Sequence, residues 1–244
     1  MHNEGVEETV EKLKAAANAA MQKVEENINN QYKAYCERTG DTFKEYHYEK
    51  KVCTYEELKN RVRETCGEAF FSDFPKRIEK LEQEGVDKRE IPIALIQHML
   101  SALKENQPIT VLYFAAPYCP HNTLKEEVEE ERLVIEKLEK TVRAIEEETE
   151  EEYQILQFFP SLTDSSYLKI DDSNESLVCL KANFPGIGQI YDLPFDNIKK
   201  LNIPAVDFGC YGKDAHKWSE RVYKPYSFHV LPKLILKATE EFLK

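Results

Sequence analysis

Apolar side chains recur every three or four positions through residues 6–35, at Val6, Val10, Leu13, Ala17, Met21, Val24, Ile28 and Tyr32. That is the helical period, and no glycine or proline interrupts it. The stripe is narrow. It fits a coiled-coil seam or a helix laid on a sheet, and its alanines, which allow close approach, favour the second. Residues 45–54 mix Tyr46, Tyr48 and Val52 with charges, as a half-exposed strand does. Thr54, ahead of Glu56 and Glu57, has the chemistry of an N-cap for a helix over 55–83. Its inward positions are Leu58, Val62, Phe70, Phe74, Ile78 and Leu81, and Gly67 and Pro75 break or kink it. A further helix fits 89–105, with Ile93, Ile96, Leu100 and Leu103 on one face.

The pattern changes at Gln107-Pro108. Residues 109–116 form an unbroken apolar run, suited to a strand buried on both faces of a parallel sheet. Pro117 to His121 follow as a stiff loop. A helix over 123–149 turns Leu124, Val128, Ile135, Leu138, Val142 and Ile145 inward. Buried strands fit 153–159 and 203–208, and a last helix fits 229–243, with Leu231, Leu234, Ile235, Ala238 and Phe242 inward. Strands joined by crossover helices are the grammar of an α/β sheet, and ligands gather outside the carboxyl ends of its strands. The loops expected to converge there are 117–122, 160–168 and 209–216.

Composition narrows the functional classes. Of the 244 residues, 41% are hydrophobic, enough for a core. The formal charge of −12 argues against nucleic acid and against an anionic membrane surface as partners. Residues 126–152 hold thirteen glutamates against four lysines or arginines, so much of the acidity belongs to one helix, read as a solvated face. The N-terminal residues lack the basic and apolar regions of a signal peptide. No apolar run approaches the ~20 residues of a membrane span. Six cysteines with no Cys-x-x-Cys pair suit free thiols in a reducing cytoplasm.

The stretch with most chemical promise is 203–232, a short apolar run, a glycine-punctuated loop, His216, then Glu220 four residues on. A strand feeding a loop that holds a metal-ligand histidine has this order, and so does an ordinary strand and loop with a surface histidine; one imidazole is not a site. Gly209, Gly212, Ala215, His216 and Glu220, with the Pro225-Tyr226-Ser227-Phe228 segment, resemble the last catalytic-domain motif of a zinc-hydrolase superfamily. Its members include acetylornithine deacetylase, succinyl-diaminopimelate desuccinylase, aminoacylase and glutamate carboxypeptidase; within it the match is to the arginine-utilisation (RocB-like) branch. The chain departs from the pattern at Cys210, where many members have proline.

The resemblance implies that His216 is a ligand to one of two zinc ions. Asp214 or Glu220 would then fix its tautomer; their plainer role is as surface acids capping a helix. Thr163-Asp164 resembles the family's Thr-Asp turn bordering the substrate pocket, with Ser161 and Leu162 in place of the usual preceding glycines; the alternative is an N-cap. Cys119 and His121 lack a third partner and are read as a structured loop. Gly186 and Gly188 are read as a turn.

A two-zinc hydrolase also needs a bridging carboxylate and a glutamate base. The family supplies an early His-x-Asp, and no His-x-Asp occurs here. The resemblance spans roughly residues 30–244. It implies an α/β fold: a partial, parallel-rich sheet with crossover helices in 107–244, the second half of a zinc-exopeptidase catalytic domain, preceded by a helix-rich partial lid in 1–106. The expected function is that of the C-terminal portion of a zinc-dependent amidohydrolase or peptidase acting on acylated amino acids or short peptides, inactive without its missing N-terminal catalytic half. The alternative is a non-catalytic helical interaction protein, a homo-oligomer for example.

Overall fold

A computed structural model of the chain describes residues 5–120, 122–149, 151–156, 163 and 165–244. The chain separates into two compact units that interleave along the sequence. One comprises Met1–Tyr118 and Asp172–Leu193, the other Cys119–Asp171 and Pro194–Lys244.

The first unit is helix-rich around a small parallel sheet. Helix α1, Val6–Thr39, runs unbroken, as its periodicity requires, and stops at Gly40 in the left-handed region. It packs against both strands and lies on the sheet; Thr110 Oγ1 meets Met21 Sδ at 3.6 Å. Strand β1, Lys51–Thr54, pairs in parallel with β2, Ile109–Leu112, in the register Lys51 to Ile109 through Thr54 to Leu112. Thr54 closes β1 and caps α2, Tyr55–Cys66. Its hydroxyl accepts from Glu57 N at 3.2 Å, and its own N–H donates to Glu57 Oε2 at 2.8 Å. This capping box satisfies two donors that a helix start otherwise leaves open.

Gly67, at φ 81°, ends α2, a backbone angle that a side chain would strain. A 3-10 turn, Glu68–Asp73, leads to α3, Phe74–Gln83, with Pro75 in its first turn. Helix α4 is Ile91–Ala102. Leu58, Val62, Ile96 and Met99 form the core with Cys53 and Tyr55, and Ile109, Val111 and Tyr113 pack against it. Helix α6, Asn174–Ala182, lies against α1. The Gly186–Gly188 stretch is a turn, with both glycines at positive φ.

The second unit is built on α5, Glu129–Thr149, packed against α8, Leu231–Phe242. Ile145, Leu231 and Leu234 are its buried centre, with Tyr153, Phe208 and Tyr226 around them. Helix α7 is Phe195–Leu201. A hairpin of two residues per strand follows: β3, Gly212–Lys213, antiparallel to β4, Arg221–Val222. A π-helical turn, Tyr226–Val230, then leads into α8.

The chain is therefore a mixed, helix-rich protein with a small parallel sheet, consistent with α/β. The strand expected over 203–208 does not form, since residues 202–211 are irregular; of the one expected over 153–159, residues 153–156 are irregular and 157–159 lie outside the described residues. An apolar run becomes a strand only where a neighbour takes its backbone hydrogen bonds in register; in 203–208 the Ile203 N–H donates to the Leu168 carbonyl at 3.0 Å, but no strand pairing follows among the described residues. The 109–116 run ends as a strand at Leu112, and each of its four strand residues is half-buried.

Candidate functional site

His216 sits at the tip of the β3–β4 hairpin, and the local sequence explains why. Gly212 allows the strands to close, since a Cβ there would lie 2.1 Å from the Arg221 carbonyl oxygen. Tyr223 N–H donates to the Tyr211 carbonyl at 2.8 Å and continues the ladder past the paired residues. Between the strands the chain makes two successive turns, Lys217 N to Asp214 O and Glu220 N to Lys217 O, both 3.0 Å. Two non-glycine residues of this turn are left-handed, Asp214 at φ 59° and His216 at φ 63°. That conformation costs about 1–2 kcal/mol for an L-residue, and such residues cluster at functional sites.

The three hairpin residues singled out in the sequence are brought together here. Asp214 accepts from Arg221 Nη2 at 3.0 Å. Glu220 Oε2 accepts from the backbone N–H of His216 at 3.3 Å, which ties the turn but does not touch the ring. The imidazole is exposed and has no hydrogen-bond partner among the described residues.

Thr163 belongs to a different cluster, and Asp164 lies outside the described residues. The Thr163 N–H donates to Ser166 Oγ at 2.9 Å, and its hydroxyl lies 2.9 Å from Ser165 Oγ. Ser165 in turn donates to Asp207 Oδ2 at 2.8 Å, and its carbonyl accepts from Asn122 Nδ2 at 3.2 Å. These bonds make the segment a rigid polar turn.

Beneath it lies a feature that periodicity did not reveal. Lys169 is 2% exposed. Its ammonium donates to Asp171 Oδ1 at 2.7 Å, to Glu131 Oε1 at 3.0 Å and to the Thr123 carbonyl at 3.0 Å, which uses all three protons. Glu131 Oε2 accepts from Lys125 N at 2.7 Å, and Asp171 also accepts from Lys125 Nζ and Thr123 N, both at 3.0 Å. Burial alone would raise the Asp171 pKa, but the bonds from Lys169, Thr123 and Lys125 outweigh it and hold the carboxyl below its ordinary value. Glu131 is thus an interior member of a helix otherwise read as a solvated acidic face. The signal available in the sequence was a lone lysine between Leu168 and Ile170, followed by Asp171.

His216, Asp214 and Glu220 do not make a zinc site by themselves. The acids serve Arg221 and the backbone, which leaves one imidazole. Among the described residues, no group of three or more histidine, cysteine, aspartate or glutamate side chains is placed to hold a metal ion. All six cysteines are free thiols. Among the described residues, no helix is long and apolar enough to cross a membrane.

The fold and the hairpin define a helix-rich chain, consistent with α/β, that presents His216 to solvent, and its sequence relationships support a RocB-like family. Protein RocB of Bacillus subtilis (strain 168) is 37% identical over 183 residues, covering 68% of this chain and 32% of RocB. The uncharacterized protein YqjN of the same organism is 30% identical over 202 residues, covering 79% of this chain and 34% of its own length. The chain therefore spans about a third of the curated relatives it matches. No protein-family model matches it, and no solved structure does.

Proposed function

We propose that this chain is the C-terminal portion of a RocB-like, arginine-utilisation type amidohydrolase or exopeptidase of the cytoplasm, acting on acylated amino acids or short peptides. The observation that carries the reading is the 37% identity with RocB. The left-handed His216, with its imidazole free for an outside partner, supports it at the residue scale. His216 is the residue of this chain offered as a zinc ligand. The remaining ligands and the base belong to the N-terminal catalytic half. Thr163 and Asp164 border the pocket for the acyl amino acid. Asp214 and Glu220 hold the turn that aims His216. No catalytic step is assigned to the residues of this chain alone.

Turnover tests this directly. The purified chain, supplied with zinc, releases no amino acid from N-acyl amino acids, whereas co-expression with a RocB-like polypeptide containing the His-x-Asp strand yields zinc-dependent hydrolysis. Zinc-dependent turnover by the chain alone would overturn the proposal. A second reading, a helical interaction protein that assembles with itself, is favoured by one feature. Leu13, Val24, Ile28 and Tyr32 of α1 are exposed along the helix. Discrete oligomers in sedimentation, unaffected by His216→Ala, would support that reading.

A further inference from the structure

Between Gly40 and β1 the chain doubles back along α1 as an irregular strap, residues 41–50. Phe43 meets Tyr32 with ring centroids 5.6 Å apart, Tyr46 lies at Asn29, His47 at Glu25 and Tyr48 at Met21, so strap and helix run antiparallel. Among the described residues, no backbone–backbone hydrogen bond holds the strap. Side chains fasten it instead. The Asn29 amide accepts the Tyr46 N–H at 2.7 Å and donates to the Tyr46 carbonyl at 2.8 Å. The Tyr48 hydroxyl donates to the Met21 carbonyl at 2.9 Å. The charged fastening is Glu25, 6% exposed on a helix whose other described acids face solvent. One of its oxygens takes the Lys50 ammonium, and the other takes His47 Nδ1 at 2.8 Å. On the far side of the ring, His47 Nε2 lies 3.3 Å from Glu45 Oε2.

Both nitrogens of the His47 ring therefore face carboxylate oxygens. A neutral imidazole has one N–H and one lone pair, so it satisfies one of these contacts and sets a lone pair against an anion in the other; the imidazolium donates to both. We propose that the strap 41–50 is a proton-operated latch, fastened to α1 while His47 carries both ring protons and loosened when it loses one. The latch does not depend on the role of His216. Around the ring, Glu25 and Glu26 come from α1, and Glu45 and Lys50 from the strap. Lys50 is committed to Glu25, Glu26 accepts from Gln22 Nε2 at 2.9 Å, and Glu49 is taken by Lys51 at 3.2 Å. The bond to Glu25 and the charge of Glu45 hold the His47 pKa above its ordinary value. The ring's contribution to the closed strap is therefore whole below the unfolded value, about 6.5, and is lost as pH rises through the higher, folded one. The His47 side chain is 69% exposed, so its proton exchanges freely with solvent and its grip is that of a surface pair. Loosening uncovers the groove of α1 lined by Gln22, Glu26 and Asn29.

Nuclear magnetic resonance of the 244-residue chain, titrated from about pH 5 to about pH 8.5, brackets the imidazole's range. The His47 ring protons give its own titration. The Tyr46 amide, which donates to the Asn29 side chain, reports the strap, and the amide of the fully buried Val62 in α2 reports global stability. His47 is expected to titrate above about 6.5. Over that same titration the exchange protection of Tyr46, corrected for intrinsic exchange, falls about two- to fivefold, while that of Val62 holds. In His47→Gln the fall is absent and Tyr46 stays at its weaker, high-pH protection. In Glu45→Gln, a change at an exposed side chain, the midpoint of ring and strap moves down together and the fall shrinks. Tyr46 protection that stays flat while His47 titrates overturns the latch, and so does a fall that persists in His47→Gln or is matched by Val62. If His47→Gln loses Val62 protection, Glu45→Gln decides: an unmoved midpoint with an undiminished fall overturns the latch. A His47 midpoint at or below the ordinary value in the wild-type chain does the same.

Discussion

His216 and Lys169 are opposite uses of a basic side chain. His216 is exposed, bonds through its backbone and is held at φ 63°. Lys169 is enclosed, with every proton used. The first arrangement does nothing evident for stability. Replacing His216 by glycine relieves about 1–2 kcal/mol of left-handed strain and gives back about 0.5–1 kcal/mol through the freer unfolded chain. His216→Gly is therefore expected to raise stability by about 0.5–1 kcal/mol in denaturant titration. A loss of that size would mean that the imidazole makes contacts within this chain. Thr54 was legible as a cap because capping chemistry is local. Lys169 was not, because a lysine in an apolar run reads as a side chain that reaches for water, and its two acceptors distant in sequence, Thr123 and Glu131, say otherwise.

Among the elements, the long helices and the two strands of the parallel sheet were legible, β1 within 45–54 and β2 within 109–116, whereas the short helices α6 and α7 were not. The periods of α1, α5 and α8 are properties of the segments themselves, and Gly67 ended α2 where its backbone freedom was needed. The 203–208 run is as apolar as a strand, yet it stays irregular, because pairing depends on residues elsewhere. The run is tied instead to 165–168, by Ile203 N–H to the Leu168 carbonyl and by Ser165 to Asp207, next to the Lys169 network that joins 123–125, the start of α5 and 169–171. The network's charge sets a pH dependence. Asp171 has a folded pKa below its unfolded value, so its contribution is present above the unfolded value, about 3.9, and is lost as pH falls through the folded one. Asp171→Asn is expected to cost about 3–5 kcal/mol at pH 7, because it leaves a buried ammonium short of a counter-charge. The difference from wild type should narrow as pH drops below about 4. Melting curves across pH 2–7, ~5 units, would show it; a gap that stays constant would mean that Asp171 titrates alike folded and unfolded.

At the scale of the molecule, the two units interleave: 119–171 folds with 194–244 and 172–193 with the first 118 residues. Nothing in local periodicity encodes such an exchange of segments, whereas the similarity to RocB, 37% identity over 183 residues, was legible in a few glycines, an alanine, His216 and Glu220. Under the proposed function, what the hairpin offers is the exposed imidazole of His216 at its tip. The direct measurement is calorimetric titration of zinc into three samples: the chain alone, the chain complexed with the RocB-like polypeptide that carries His-x-Asp, and that complex with His216→Ala. The account predicts no tight zinc uptake by the chain alone, tight uptake by the complex, and at least one zinc lost or weakened with His216→Ala. Equal zinc binding by the complex with and without the imidazole would contradict it.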